Sequence, residues 1–309
     1  MRILITGGYG FLGSHVYEEL ERDGNQPVRF HSNGYNLIKP DECRAAIEEY
    51  HPEAVIHLAA RVGGIGANKA NPATFAYENL MMGVNVIEAC RWLYVRKLVI
   101  AGTICSYAKF TPIPFREKDF WEGGYPEETN APYAWAKKML LVLSQAYRQQ
   151  YDCNFVYLLP VNLYGPRDNF DLNSSHVIPA MIRKFHEAVV KNEPAVTLWG
   201  DGTPTREFLY VEDCAKAFVK TLELYDSPEP MNIGSGKEIV MTDLANKIKD
   251  LVGYKGEIRW DSSKPNGQPR RCLDTSRAKE KIDWEATTSF DEGLRKTYEW
   301  FVNSYKERS

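Results

Sequence analysis

A chain of 309 residues with 38 basic and 41 acidic side chains, formal net charge −3, is long enough to bury one large core or two modest ones. That slight negative balance gives no electrostatic case for nucleic acid or an anionic membrane, and no apolar run approaches the ~20 residues that span a bilayer. Six scattered cysteines, Cys43, Cys90, Cys105, Cys153, Cys214 and Cys272, include no Cys-x-x-Cys and read as reduced thiols of a cytoplasmic protein, with no metal site and no disulfide framework.

Short apolar runs alternate with longer amphipathic ones through the first half, the pattern of βαβ units around a parallel sheet. Arg2–Thr6 reads as a strand, too short and too soon followed by glycine to be a signal peptide. Leu12–Asp23 is a helix closed by Gly24, and Pro27–Phe30 is a second strand. A helix over Asp41–Tyr50, a buried strand over Ala54–Leu58 and a long helix over Phe75–Tyr94 follow. Lys97–Ala101 is a strand, Ala131–Tyr151 a second long helix, and Asn154–Leu159 another strand. From Pro160 to Thr205 the chain is rich in Asn, Pro, Gly and Asp, with one helix over Val177–Val190. Glu207–Val211 and Asp213–Tyr225 return to strand and helix, Asp226–Pro230 is a turn, and Thr242–Val252 and Phe290–Ser304 are amphipathic helices.

These elements predict an α/β protein: a Rossmann-type doubly wound parallel sheet with a smaller carboxy-terminal α/β lobe. Residues 1–165, rejoined by 206–226, would form a dinucleotide-binding domain. Residues 166–205 and 227–309 would form the substrate lobe, with a ligand cleft between the two.

Gly7, Gly10 and Gly13 are spaced Gly-x-x-Gly-x-x-Gly between the first strand and the first helix. That loop needs a tight turn, close backbone approach to a pyrophosphate, and close helix–sheet packing. Phe11 and Leu12 then open a helix whose amides favour an anion. An acid at the end of the second strand would hold the ribose hydroxyls of NAD. The segment here is Val28-Arg29-Phe30-His31-Ser32-Asn33, without an acid. His31, Ser32 and Asn33 offer donors for a phosphate or ribose oxygens, and Arg29 can point to either face. NADP(H) is favoured, with NAD(H) as the alternative.

Tyr133 and Lys137 lie four apart, so a helix puts them on one face, where an ammonium can lower the pKa of a phenol. With the glycine loop this describes a nicotinamide enzyme in which a tyrosine moves the proton. A second Tyr-x-x-x-Lys, Tyr35 to Lys39, is followed at once by Pro40 and is read as incidental.

The chain resembles the extended short-chain dehydrogenase/reductase family over nearly its whole length. The resemblance is carried by the glycine loop, His57-Leu58-Ala59-Ala60, the strand ending at Gly102-Thr103, Tyr133 with Lys137, and Arg206–Asp213. Val62-Gly63-Gly64-Ile65, Asn162–Pro166 with Asp168-Asn169-Phe170, Ser175–Ala180 and Trp199–Pro204 bring it nearest to the GDP-L-fucose synthase group, which are GDP-4-keto-6-deoxymannose 3,5-epimerase/4-reductases. The resemblance implies that Tyr133 protonates the C4 oxygen and that Lys137 binds the nicotinamide ribose and lowers the tyrosine pKa. Thr103 takes the place of the usual serine on the same oxygen. Leu58, Ala59, Ala60, Pro160, Asn162, Leu163 and His176 would line the cofactor. A C4 ketone acidifies C3–H and C5–H, and a thiol and an imidazole, with reference pKa values of about 8.5 and about 6.5, suit a base and an acid there. The family places these at Cys105 and His176.

Asn162, Lys184, Trp199 and Arg206, with Arg270 or Arg271, would hold the nucleotide sugar, GDP-linked by likeness. The two long helices would pair in a homodimer. Ile104 and Ala108 depart from the family's usual Ser-Ser-Cys-Ile-Tyr-Pro, and Tyr9 stands where a basic residue is frequent. Two other functions fit the same motifs less fully: a redox-neutral nucleotide-sugar epimerase with tightly held NAD, and a noncatalytic dinucleotide sensor, which the intact Thr103/Tyr133/Lys137 set opposes.

Overall fold

The computed structural model describes residues 1–306. A six-stranded, all-parallel sheet organises the larger part, built from β1 (Arg2–Thr6), β2 (Gln26–Arg29), β3 (Ala54–His57), β4 (Lys97–Ala101), β5 (Phe155–Pro160) and β9 (Met231–Ile233) in the order β2-β1-β3-β4-β5-β9. The β3, β4 and β5 strands are buried along nearly their whole length, His57 and Lys97 included, because both faces are covered. Helix α1 (Phe11–Arg22) packs against α7 (Val211–Leu224), while α4 (Pro72–Trp92) packs against α2 (Pro40–Tyr50) and α5 (Ala131–Tyr151). Because β2 and β3 flank β1 on opposite sides, the winding reverses there, and a crevice opens at the carboxyl ends of the strands.

The second lobe holds β6 (Asn162–Tyr164), α6 (Val177–Lys191), β7 (Ala195–Trp199), β8 (Thr205–Tyr210), β10 (Glu238–Val240), α8 (Met241–Val252), β11 (Glu257–Asp261) and α10 (Phe290–Lys306). Its strands form two small sheets, β10-β8-β6 and β11-β7. Ile182, Phe185, Leu244, Ile248 and Phe301 make a separate core there. Helix α3 (Ile65–Ala70) precedes α4, and α9 (Ser276–Ile282) packs beneath α7.

Two departures from the sequence reading matter. The strand expected over Glu207–Val211 does not return to the main sheet: Thr205–Tyr210 pairs with β6 and β10, and only the following α7 rejoins the larger domain. The sixth strand comes instead from Met231–Ile233, inside the stretch assigned to the lobe. Three residues between Pro230 and Gly234 carry too little periodicity to be read as a strand. Asn232 fixes it, donating to the Phe115 and Asp274 carbonyls at 2.9 and 3.0 Å and accepting from Tyr107 at 2.8 Å.

Candidate active site

The loop after β1 is built by steric need. Gly7 has φ +71°, and a Cβ there would meet Ala59 N and Cα at 2.8 Å. A Cβ on Gly13 would meet the Gly7 carbonyl oxygen at 2.2 Å. Gly10 N–H donates to Gly7 O at 2.9 Å, and Gly10 stands as N-cap of α1 with no side chain capping the helix. The first amides of α1 are therefore free for an anion at the cavity wall formed by Gly10, Phe11, Leu12 and Gly13. A cradle that any Cβ would fill, ending in unpartnered amides, fits the pyrophosphate of a dinucleotide.

The same wall continues through Phe30, His31, Ser32 and Tyr35. Asn33 is not part of it; it sits exposed in the turn that Gly34 N–H closes onto His31 O at 2.9 Å. Arg29 turns away from the cavity, its guanidinium 4.2 Å from the Tyr9 ring centroid and 4.0 Å from that of Tyr17, donating to Gly8 O at 3.1 Å. His31 stacks on the other partner of this group, Tyr9, with centroids 3.8 Å apart.

At the end of β4, Gly102 passes so close to Tyr157 that a Cβ would lie 2.3 Å from its ring. Thr103 Oγ1 then accepts from Cys105 N–H at 3.2 Å and starts the 3-10 turn Ile104–Ser106, which leaves Cys105 on the cavity wall beside Thr103. Tyr133 and Lys137 face the same space from α5. Burial, and then the proximity of Cys105, hold the Tyr133 phenol above its ordinary pKa, while the nearby Thr103 hydroxyl acts in the opposite sense. Lys137 does not produce the lowering expected from spacing alone. Its ammonium donates to the Ala101 carbonyl at 2.9 Å, and burial brings its own pKa down to about 8. Beneath it His57 Nδ1 is bonded to Thr6 Oγ1 at 2.8 Å; burial, then the Lys137 charge, push the imidazole down to about 3.

His176 is the N-cap of α6 and lines the cavity, with its pKa lowered by burial. Leu58, Ala59, Ala60, Pro160, Asn162 and Leu163 complete the cofactor side. On the lobe side stand Lys184, which donates to Thr197 O at 3.0 Å, the half-exposed Trp199, and Arg206. Burial, then the charge of Arg271, bring the Arg206 guanidinium down to about 10. Arg270 is outside the site: it is paired with Glu238 on the surface. Arg271 lines the cavity in its place, because side chains in extended backbone alternate.

The sequence reading missed Asn266, Gly267 and Gln268, which reach the cavity from the far end of the chain with no motif to flag them. It also gave no role to the contact between Gly64 and the loop before His176. Gly64 N–H donates to Ser174 O at 3.2 Å, and a Cβ on Gly64 would strike Ser175 O at 2.8 Å. The cavity measures about 1060 Å³, above the range typical of one drug-sized ligand, so it has room for a dinucleotide and a second ligand together.

Comparison with known proteins agrees with this geometry. The model of the NAD dependent epimerase/dehydratase family matches residues 3–234. GDP-L-fucose synthase of Sinorhizobium fredii is 45% identical over 303 residues, covering 98% of this chain and 96% of that protein. A GDP-L-fucose synthetase from Naegleria fowleri solved with NADP superposes with a TM-score of 0.90 at 29% identity, covering 99% of this chain and 95% of that one. A GDP-6-OMe-4-keto-L-xylo-heptose reductase from C. jejuni superposes at 0.91 with 27% identity and 98% coverage of both chains. Full-length similarity and the glycine cradle agree, and the chain belongs to the NAD dependent epimerase/dehydratase family.

Proposed function

We propose that this protein is an NADP(H)-dependent epimerase/reductase that converts GDP-4-keto-6-deoxymannose to GDP-L-fucose or a close analogue. The observation that carries the reading is the convergence of Thr103, Cys105, Tyr133, Lys137 and His176 on one cavity. A simple reductase needs the first, third and fourth of these. The thiol and the imidazole add the base and acid that epimerisation beside a ketone requires.

Bound reduced nicotinamide supplies a hydride to C4. Tyr133 holds the proton for the C4 oxygen, and Thr103 hydrogen-bonds the same oxygen. A phenol held above its ordinary pKa is protonated at neutral pH, as an acid must be. Lys137 orients the nicotinamide ribose from its anchor on Ala101. The helix α1 amides and the loop glycines take the pyrophosphate. Arg206 takes the diphosphate of the sugar nucleotide, held in place by its bonds to the Thr205 and Asn266 carbonyls.

Exposed Tyr77, Trp135, Met139 and Val142 on α4 and α5, beside a shallow groove floored by Ala76 and Leu80, support a homodimer through these helices. Free cysteines support a cytoplasmic location, and no helix among the described residues is long and apolar enough to cross a membrane.

The deciding experiment mixes protein, NADPH and GDP-4-keto-6-deoxymannose, follows nicotinamide absorbance and identifies the product by NMR. NADPH oxidation with GDP-L-fucose formed is the expected result. No oxidation, with retained NAD and an altered stereocentre on another nucleotide sugar, would replace this reading with a redox-neutral epimerase.

A further inference from the structure

Arg271 comes from the carboxy-terminal part of the chain, yet its guanidinium ends beside the tip of β4. The residue is only 6% exposed. Its Nε donates to Gln268 Oε1 at 2.6 Å, and Gln268 Nε2 is anchored on the Lys109 carbonyl at 2.7 Å. Its Nη1 donates to Cys105 Sγ at 3.4 Å. Among the described residues, no Asp or Glu oxygen forms a salt bridge with it within 4.0 Å. Arg206 is close enough for the two guanidinium charges to repel, which sharpens the need for an anion between them and the cavity.

A guanidinium does not give up its proton in a protein, and a buried charge is costly without a counter-charge. The acceptor facing Nη1 is a sulfur, weak as a neutral thiol and strong as a thiolate. We infer that Arg271 is the positioning residue of Cys105: it fixes the sulfur on the cavity wall and supplies the counter-charge for its thiolate, the form in which the thiol serves as the base already assigned to it. This rests on the epimerase/reductase reading above.

In the step so assigned, a C–H bond beside the substrate ketone breaks and an S–H bond forms on Cys105. The electron pair passes into the carbonyl as an enolate, whose oxygen the Tyr133 and Thr103 hydroxyls hold. A second group, His176 in its protonated form, returns a proton to carbon and is reprotonated from water, and Cys105 loses its new proton to water.

The alternative is that Arg271 serves only as a diphosphate anchor beside Arg206. Alkylation of Cys105 by iodoacetamide, read by mass spectrometry, separates the two without any sugar substrate. Cys105 lines the cavity, whereas Cys43, Cys90, Cys214 and Cys272 are buried. Arg271→Gln should slow alkylation of Cys105 at neutral pH by about ten-fold or more, with NADPH binding by fluorescence unchanged. Arg271→Lys, which keeps the charge, should recover part of the rate. Unchanged alkylation in a variant that binds NADPH overturns the inference, and a simultaneous loss of GDP affinity would make Arg271 an anchor only. If Arg271→Gln does not fold, Gln268→Ala, which frees Nε of Arg271, must slow the same alkylation, and a wild-type rate there overturns it too. Arg271-dependent alkylation in a protein that exchanges no substrate C–H for deuterium would refute the epimerase reading while the pair stands.

Discussion

Lys137 Nζ donates to the Ala101 carbonyl at 2.9 Å, tying the helix that carries Tyr133 to the carboxyl end of β4 that leads to Thr103. The two halves of the reacting centre are thus clamped by one buried ammonium whose pKa is brought down to about 8. Its unfolded pKa is higher, so at neutral pH the fold bears the cost of holding it charged. Lys137→Met should abolish turnover and yet raise Tm at pH 7, by a stabilisation on the order of 1–3 kcal/mol after loss of the Ala101 bond. The gain should shrink as pH rises through about 8 toward 10.5, where wild type folds with a neutral lysine. A lower Tm at pH 7 would show that the clamp outweighs the buried charge.

His57 carries the largest of several histidine contributions to acid lability, since burial also lowers the pKa of His15, His176 and His186. In the fold it is neutral, with its pKa pushed down to about 3 from 6.5. Between those values the unfolded chain binds the extra proton, so this contribution is intact above pH 6.5 and is lost as pH falls toward 3. The loss approaches about 1.4 kcal/mol per pH unit. Asp168 and Glu207, each pushed up to about 7 by burial, act in the opposite sense because the fold takes up their protons first. The difference between His57→Gln and wild type isolates the histidine. Urea midpoints should fall more steeply for wild type between pH 6.5 and 5, and parallel curves would refute the assignment.

Glu207, next to Arg206, accepts from Leu273 N–H at 2.6 Å and Gly236 N–H at 2.7 Å. It therefore holds the segment from which Arg271 projects. Glu207→Gln places an amide donor against backbone donors and should destabilise the fold by about 1–3 kcal/mol. The KM for the sugar nucleotide should rise, with NADPH affinity kept. A KM equal to wild type would confine Glu207 to a structural role.

The readable part of this site lay where function imposes a local pattern. Three glycines at fixed spacing, and a tyrosine four residues before a lysine, are consequences of a cradle and a helix face. Cys105 and His176 were placed by likeness, and both line the cavity. What could not be read depends on contacts between distant segments. Arg270 and Arg271 are indistinguishable as adjacent arginines until Leu273 and Gln268 fix the register of their segment. Likewise, the fate of Met231–Ile233 was decided by the buried amide of Asn232, bridging Phe115 and Asp274. Spacing places Lys137 beside Tyr133 on one helix face and says nothing of the Ala101 carbonyl that its ammonium bonds, or of burial.

The adenosine end offers the last test. In place of a basic residue in the loop, Tyr9 presents a ring with His31 stacked on it, and Arg29 packs against Tyr9 from a site off the cavity wall. No carboxylate stands at the end of β2 to hold ribose hydroxyls or repel a 2′-phosphate. The imidazole of His31 and the hydroxyl of Ser32 stand at that position of the wall, followed by the polar groups of Tyr35 and Asn36. His31→Asp should weaken NADPH binding by about ten-fold or more and tighten NADH binding, since a carboxylate opposes the phosphate and accepts from the ribose. Arg29→Ala should lower NADPH affinity less, because it removes only the support for Tyr9 and the stacked imidazole. Fluorescence titration of both cofactors measures this directly. Equal NADPH affinity in wild type and His31→Asp would place the phosphate elsewhere on the wall.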